Sequence, residues 1–188
     1  CSMTLDISGT DVSCFGANDG TVDLTINNGT APFTIDWSNN AFDGQEDLTQ
    51  VGAGMLEVTV TDAAGCTAIT AITINEPSDL ILACAEDTAV STIGGQDGVA
   101  AVTITGGTAP YALAYAGPVN GIETSMMEGA VLLSNLAAGS YTITITDAND
   151  CTSSCTVTIT DPSCSMTLDI SGTDVSCFGA NDGTVDLT

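Results

Sequence analysis

In Leu56-Glu57-Val58-Thr59-Val60-Thr61, which Asp62 follows, every second residue is a large aliphatic one, and those between are polar. Period two belongs to a strand with one buried face, since helical side chains recur every 3.6 residues. β-branched Val and Thr suit a pleated surface. Eighty-five residues on, Tyr141-Thr142-Ile143-Thr144-Ile145-Thr146-Asp147 repeats the pattern, and the correspondence extends back to Ala53-Gly54 and Ala138-Gly139. Gly29-Thr30-Ala31-Pro32-Phe33 likewise matches Gly107-Thr108-Ala109-Pro110-Tyr111, at an offset of 78. The second half therefore gains seven residues between the two blocks, within 116–133. Asn75-Glu76-Pro77 and Thr160-Asp161-Pro162 close the halves at corresponding places. Two homologous domains follow, residues 1–78 and 79–162.

A second, stricter repeat overlies the first. Residues 1–25 recur letter for letter as residues 164–188, a period of 163. Self-similarity at fixed period is the mark of repeat architectures. An identical copy without drift points to an array kept uniform, with residues 163–188 opening the next unit. Such an opening supplies only the first strands of a sandwich, so alone it is expected to stay unstructured unless it packs on a neighbour or adds to another chain's sheet.

Further runs alternate in the same way: Thr21–Ile26, Val99–Thr105, Thr67–Ile74 and Thr156–Thr160. Between them lie Asn18-Asp19-Gly20, Gln96-Asp97-Gly98, Asn28-Gly29, Gly106-Gly107 and Ala64-Gly65, all residues that tolerate positive φ in turns. No stretch carries helical periodicity; Ser125–Leu136 reads least like a strand and has room for a helical turn. About seven short strands in each ~80-residue unit, with regular turns, predict an all-β fold of tandem immunoglobulin-like sandwiches. Phe33 and Trp37, the only tryptophan, are expected in the core.

The chain has no Lys, Arg or His against 24 Asp plus Glu, a formal charge of −24. Nucleic acid and anionic lipid headgroups both need cationic contacts, so neither is an expected partner. Hydrophobic residues make up 44%, too many for an acidic disordered tail. Folded domains with a negative, soluble skin follow. No apolar run approaches the ~20 residues of a membrane span, so membrane insertion is not expected. Without imidazole, amine or guanidinium, most acid–base, nucleophilic and oxyanion chemistry lacks its usual groups, and the chain reads as non-enzymatic.

Eight cysteines, six per period (Cys1, Cys14, Cys66, Cys84, Cys151, Cys155), point to disulfides and an extracellular setting. No C-x2-C pair supports a thiolate metal site. Cys14 precedes the first core strand and Cys66 opens the last, so Cys14–Cys66 is the expected bridge. Its loop of ~50 residues is worth ~4 kcal/mol in the chain-entropy model. Cys151 corresponds to Cys66 and would take Cys84, leaving Cys155 for Cys164 across the joint between repeats. The alternative, Cys84–Cys155 with Cys151–Cys164, stays open.

Val12-Ser13-Cys14-Phe15-Gly16, Asn18-Asp19-Gly20-Thr21, Asn28-Gly29-Thr30-Ala31-Pro32-Phe33-Thr34-Ile35-Asp36-Trp37-Ser38-Asn39, Val58-Thr59-Val60-Thr61-Asp62-Ala63-Ala64-Gly65-Cys66 and Glu76-Pro77 together resemble the SprB-type repeat of gliding Bacteroidota adhesins. The likeness spans nearly all of residues 5–77. The second half keeps Gly107–Tyr111, Leu136–Asp147 and Cys151 but has Ser91 and Thr92 where a cysteine would be expected. The resemblance implies a β-sandwich module in a long, secreted cell-surface filament.

Three weaker readings complete the expectations. Asp36, Asp43, Glu46 and Asp47 crowd one loop region and are candidate calcium ligands, although no EF-hand or nonapeptide spacing supports them. Asp19, Asp62, Asp97 and Asp147 stand in turns, where a carboxylate accepts backbone N–H bonds. Asp87-Thr88-Ala89 resembles a short Bacteroidota O-glycosylation motif at Thr88, and Asn28-Gly29-Thr30 fits the N-glycosylation pattern. The expected role is a structural or adhesive spacer, whose partners are neighbouring copies, other fibres or surface glycans. The alternative is an extracellular module that binds polysaccharide or depends on calcium.

Overall fold

The computed structural model describes residues 1–162, 170–174, 178 and 181–187. The first six strands are β1 (Thr4–Thr10), β2 (Gly20–Asn27), β3 (Thr34–Trp37), β4 (Leu48–Val51), β5 (Gly54–Thr61) and β6 (Thr67–Ile74). They form two antiparallel sheets, β1-β2-β4 and β3-β5-β6. Seven more follow: β7 (Ile81–Thr88), β8 (Gly98–Thr105), β9 (Tyr111–Ala116), β10 (Gly121–Met126), β11 (Gly129–Leu136), β12 (Gly139–Thr146) and β13 (Thr152–Ile159). Their sheets are β11-β8-β7 and β10-β9-β12-β13.

Alternation along each strand turns the aliphatic residues inward and builds two separate cores. Val22, Leu24, Trp37, Leu48, Val58, Val60 and Ile74 fill the first, all at 2% exposure or less. Val102, Ile104, Leu113, Tyr141, Ile143, Ile145 and Ile159 fill the second. Neither core draws on the other's strands, and the chain passes between them through residues 75–80.

Strand order makes each unit an immunoglobulin-like sandwich. β1-β2-β4 against β3-β5-β6 is the A-B-E against C-F-G arrangement, with strand D absent. Two side chains stand where that fold places its anchors. Trp37 is buried on strand C and donates its indole N–H to the Gln45 carbonyl at 2.9 Å. Tyr141, at the start of strand F in the second unit, donates its hydroxyl to the Ala137 carbonyl at 3.0 Å, a tyrosine corner.

The seven extra residues of the second half have a structural consequence. In the first unit, residues 38–47 return from strand C to strand E through a single 3-10 turn, Asn40–Phe42. In the second, β10 makes that return and pairs with β9, giving its sheet a fourth strand. Ser125–Leu136, where a helical turn had room, is extended instead. Gly129–Leu136 pairs with β8, with left-handed φ near 60° at Ser125 and Asn135 absorbing the irregularities of the two strands. The first unit holds six strands rather than seven, because D is missing.

Of the next copy, β14 (Ile170–Thr173) and β15 (Thr184–Leu187) pair as a hairpin. Its register, Ile170 opposite Leu187 and Thr173 opposite Thr184, reproduces Ile7 opposite Leu24 and Thr10 opposite Thr21. The hairpin thus forms here without the remaining strands of its sandwich, contrary to the expectation of an unstructured opening.

Candidate functional site

The chemistry of this chain is concentrated in its sulfurs and in the joint between the two sandwiches. Among the described residues three bridges form: Cys1–Cys66, Cys14–Cys151 and Cys84–Cys155, with Cα–Cα separations of 5.5, 5.8 and 6.1 Å. The expected Cys14–Cys66 pairing is therefore corrected. Cys66 lies at the start of β6, whereas the Cys14 loop is fastened to its end, where Val12 N–H donates to the Asn75 carbonyl at 3.1 Å. An eight-residue strand rises ~26 Å, far beyond the reach of a cystine. The two cysteines sit at opposite ends of the sandwich.

Cys151 pairs with Cys14 rather than Cys84, and Cys84 pairs with Cys155, joining β7 to β13 where the edges of the two sheets meet. Cys164, named as a partner for Cys155 or Cys151, lies outside the described residues, and both of those cysteines are engaged elsewhere.

The Cys14–Cys151 bridge crosses the joint, and the sequence prepares both of its ends. On the first sandwich, Asp19 accepts from the Ser13 amide at 3.0 Å and the Ser13 hydroxyl at 2.5 Å. The two bonds hold its carboxyl below the ordinary aspartate range. Asp11 accepts from the Asn75 amide at 2.7 Å, and Glu76 from the Gly16 amide at 2.8 Å, so the loop is tied to the outgoing chain. On the second sandwich, buried Asp147 accepts from the amides of Thr108, Asn149 and Cys151 at 2.8–2.9 Å. That turn sends the Asn149 amide nitrogen to the Ser13 carbonyl at 3.1 Å, beside the cystine. Gly107, at φ 68°, leaves no room for a side chain: a Cβ there would come within 3.0 Å of both Leu80 and Asp147.

Asp62 is the counterpart of Asp147 and accepts from the amides of Thr30, Ala64 and Cys66 at 2.8–3.2 Å. The Cys66 amide is the largest influence that lowers its carboxyl pKa, with burial opposing. Asp97 accepts from Ser91 as Asp19 does from Ser13 and is lowered for the same reason, although no cysteine follows. All four turn acids are occupied with backbone amides.

The carboxylates proposed for calcium are not brought together. Asp43 accepts from the Trp37 amide at 2.9 Å and Asp47 from the Leu24 amide at 3.3 Å, while Asp36 and Glu46 are exposed. Among the described residues no three Asp, Glu or Cys side chains converge on a metal-sized point. Thr88 is exposed at the end of β7, its hydroxyl donating to Asp87 at 3.1 Å. Asn28 is exposed in a left-handed turn. A cleft of about 330 Å³ opens at the joint between Phe15, Pro77, Asp79, Asp150 and the cystine. No helix among the described residues is long and apolar enough to cross a membrane.

The sequence singled out all six bridging cysteines of the period and held Cys84–Cys155 open as an alternative, but it did not reveal Cys1–Cys66 or Cys14–Cys151. Nor did it reveal Asn149 as a contact across the joint.

Comparison with known proteins adds one family and a set of folds. Residues 7–42 match the model of the SprB repeat. No curated protein matches the chain. Among solved structures the chain is similar to DIP-gamma IG1+IG2, at 10% identity and a TM-score of 0.39, covering 84% of this chain and 96% of that one. It is also similar to the C-terminal 282-residue fragment of intimin in complex with the intimin-binding domain of the translocated intimin receptor. There the identity is 16% and the TM-score 0.36, over 85% of this chain and 64% of the other.

Proposed function

Starting from a chain that carries an extracellular, adhesin-type SprB repeat at residues 7–42, we propose a structural role: a spacer in a linear surface filament of alternating sandwiches. The observation that carries this reading is the Cys14–Cys151 bridge, a covalent clamp on the joint between one sandwich and the next. A module built to bind a ligand gains little from fixing its neighbour's orientation. A fibre gains stiffness, because each free joint would let it coil. Recurrence of residues 1–25 after 163 residues supplies the second half of the reading, a chain of like units. The formal charge of −24 with no cation keeps such fibres apart and in solution.

No catalytic role is part of the proposal. At the joint Asp19 and Asp147 are committed to backbone amides, and the imidazole, amine and guanidinium groups that serve as general bases, Schiff-base nucleophiles and oxyanion clamps are absent from the sequence. The partners are neighbouring copies, joined through the main chain.

Electron microscopy of rotary-shadowed tandem chains of two, three and four periods tests the reading. The filament account expects rods whose length grows by a constant increment per period. Compact particles, or lengths that do not scale with copy number, would overturn it.

A further inference from the structure

We propose that the three cystines form two parallel covalent tethers of nearly equal length, which carry tension past both sandwiches and set a ceiling on extension. The inference rests on the filament reading for its relevance, although the tether lengths belong to the chain itself.

The bridges interlock. The Cys1–Cys66 loop overlaps the Cys14–Cys151 loop, which in turn overlaps the Cys84–Cys155 loop. A pull applied at residues 1 and 162 has two short covalent routes. One runs from residue 1 to 14, crosses to 151 and continues to 162, a path of 24 peptide steps and one cystine. The other crosses at once from 1 to 66, runs to 84, crosses to 155 and ends at 162, a path of 25 peptide steps and two cystines.

At ~3.4 Å per step, either route reaches only ~80–100 Å when taut. Two eight-residue strands laid end to end already span ~50 Å. Unfolding under load can therefore lengthen the oxidised unit by only a few tens of ångströms. The first route shields the 137-residue separation between Cys14 and Cys151. The second shields separations of 65 and 71 residues.

Two equal routes make the lock redundant. Loss of Cys14–Cys151 leaves the second route at almost the same length, and loss of either other bridge leaves the first. Long extension requires one bridge cut from each route. The Cys14–Cys151 bridge thus serves as clamp and tether at once, while the other two staple single sandwiches and act as a tether only together.

Single-molecule pulling on the full chain, held by its termini in a Cys164→Ser, Cys177→Ser background, tests this. The taut length expected between residues 1 and 162 is ~80–100 Å. It should stay within ~20 Å of that when Cys14 and Cys151 are replaced by Ser, or when Cys1 and Cys66 are. Replacing Cys14, Cys151, Cys84 and Cys155 together should add ~240 Å, the 71-residue separation set free. Reducing all bridges with a phosphine should add ~470 Å. These lengths read covalent connectivity, so a disulfide map of each variant before pulling shows that its remaining native bridges have formed, and the reduced wild-type chain supplies the unbridged reference in every case. A gain of ~200 Å or more on removing any single bridge would overturn the proposal. Such a result would leave the filament reading untouched, because that stands or falls on images of tandem periods.

Discussion

Asp147, only 5% exposed, accepts from three backbone amides. Replacing it with Ala strands those donors, and hydrogen bonds to charged groups are worth ~1.5–3 kcal/mol each. Asp147→Ala should therefore destabilise the second sandwich by ~2–4 kcal/mol, partial rescue by water included. The change can be read separately from the first sandwich, since the only tryptophan, Trp37, lies there and all three tyrosines lie in the second. Asp97 gives the pH counterpart. Its pKa is lowered in the fold, so its stabilising contribution is present above the unfolded value and lost as pH falls through the folded one. Asp97→Asn should lower the melting temperature at pH 7, and the gap should narrow as pH falls below the unfolded aspartate value of about 3.9. A gap that stayed constant with pH would contradict the assignment. The turn acids and Trp37 were legible because their residue types have few other uses at those places. The tyrosine corner was not, because in the first sandwich Leu56 occupies the position of Tyr141 and the repeat concealed it.

The strands were legible wherever a buried face alternates with an exposed one, as in β2, β5, β8 and β12. β1 and β7 were harder to read. Both lie at sheet edges with few buried side chains, so their pattern of alternation is faint. The expected Cys14–Cys66 pairing failed at this scale for a definite reason. Which end of a sandwich a loop occupies depends on how many times the chain has crossed it. Residues 38–47 make one crossing with no strand pattern at all, so a count of strands puts Cys14 and Cys66 at the same end. β10 performs the same crossing openly in the second unit. Two substitutions test the anchors of the elements. Tyr141→Phe removes the bond to the Ala137 carbonyl and should cost ~1 kcal/mol in urea denaturation. Trp37→Ala should cost ~3–5 kcal/mol and unfold the first sandwich well before the tyrosine signal of the second changes. Simultaneous loss of both signals would mean that the joint couples the two cores more strongly than their separate packing indicates.

At the scale of the molecule, the exact recurrence of residues 1–25 exposes a repeat in the sequence alone, and the even cysteine count per period points to disulfides. Neither shows that the bridge across the joint within the period is Cys14–Cys151, because that depends on two loops from different sandwiches meeting in space. Because no three acidic or cysteine side chains among the described residues could hold a metal ion together, EDTA should leave the melting temperature unchanged, and a drop of several degrees would support calcium binding by Asp36, Asp43, Glu46 and Asp47. The most direct test is a mass-spectrometric map of the disulfides in the intact, oxidised chain. The account predicts a peptide containing Cys14 linked to one containing Cys151, alongside Cys1–Cys66 and Cys84–Cys155. Cys14 linked to Cys66, with no bond between the sandwiches, would contradict it.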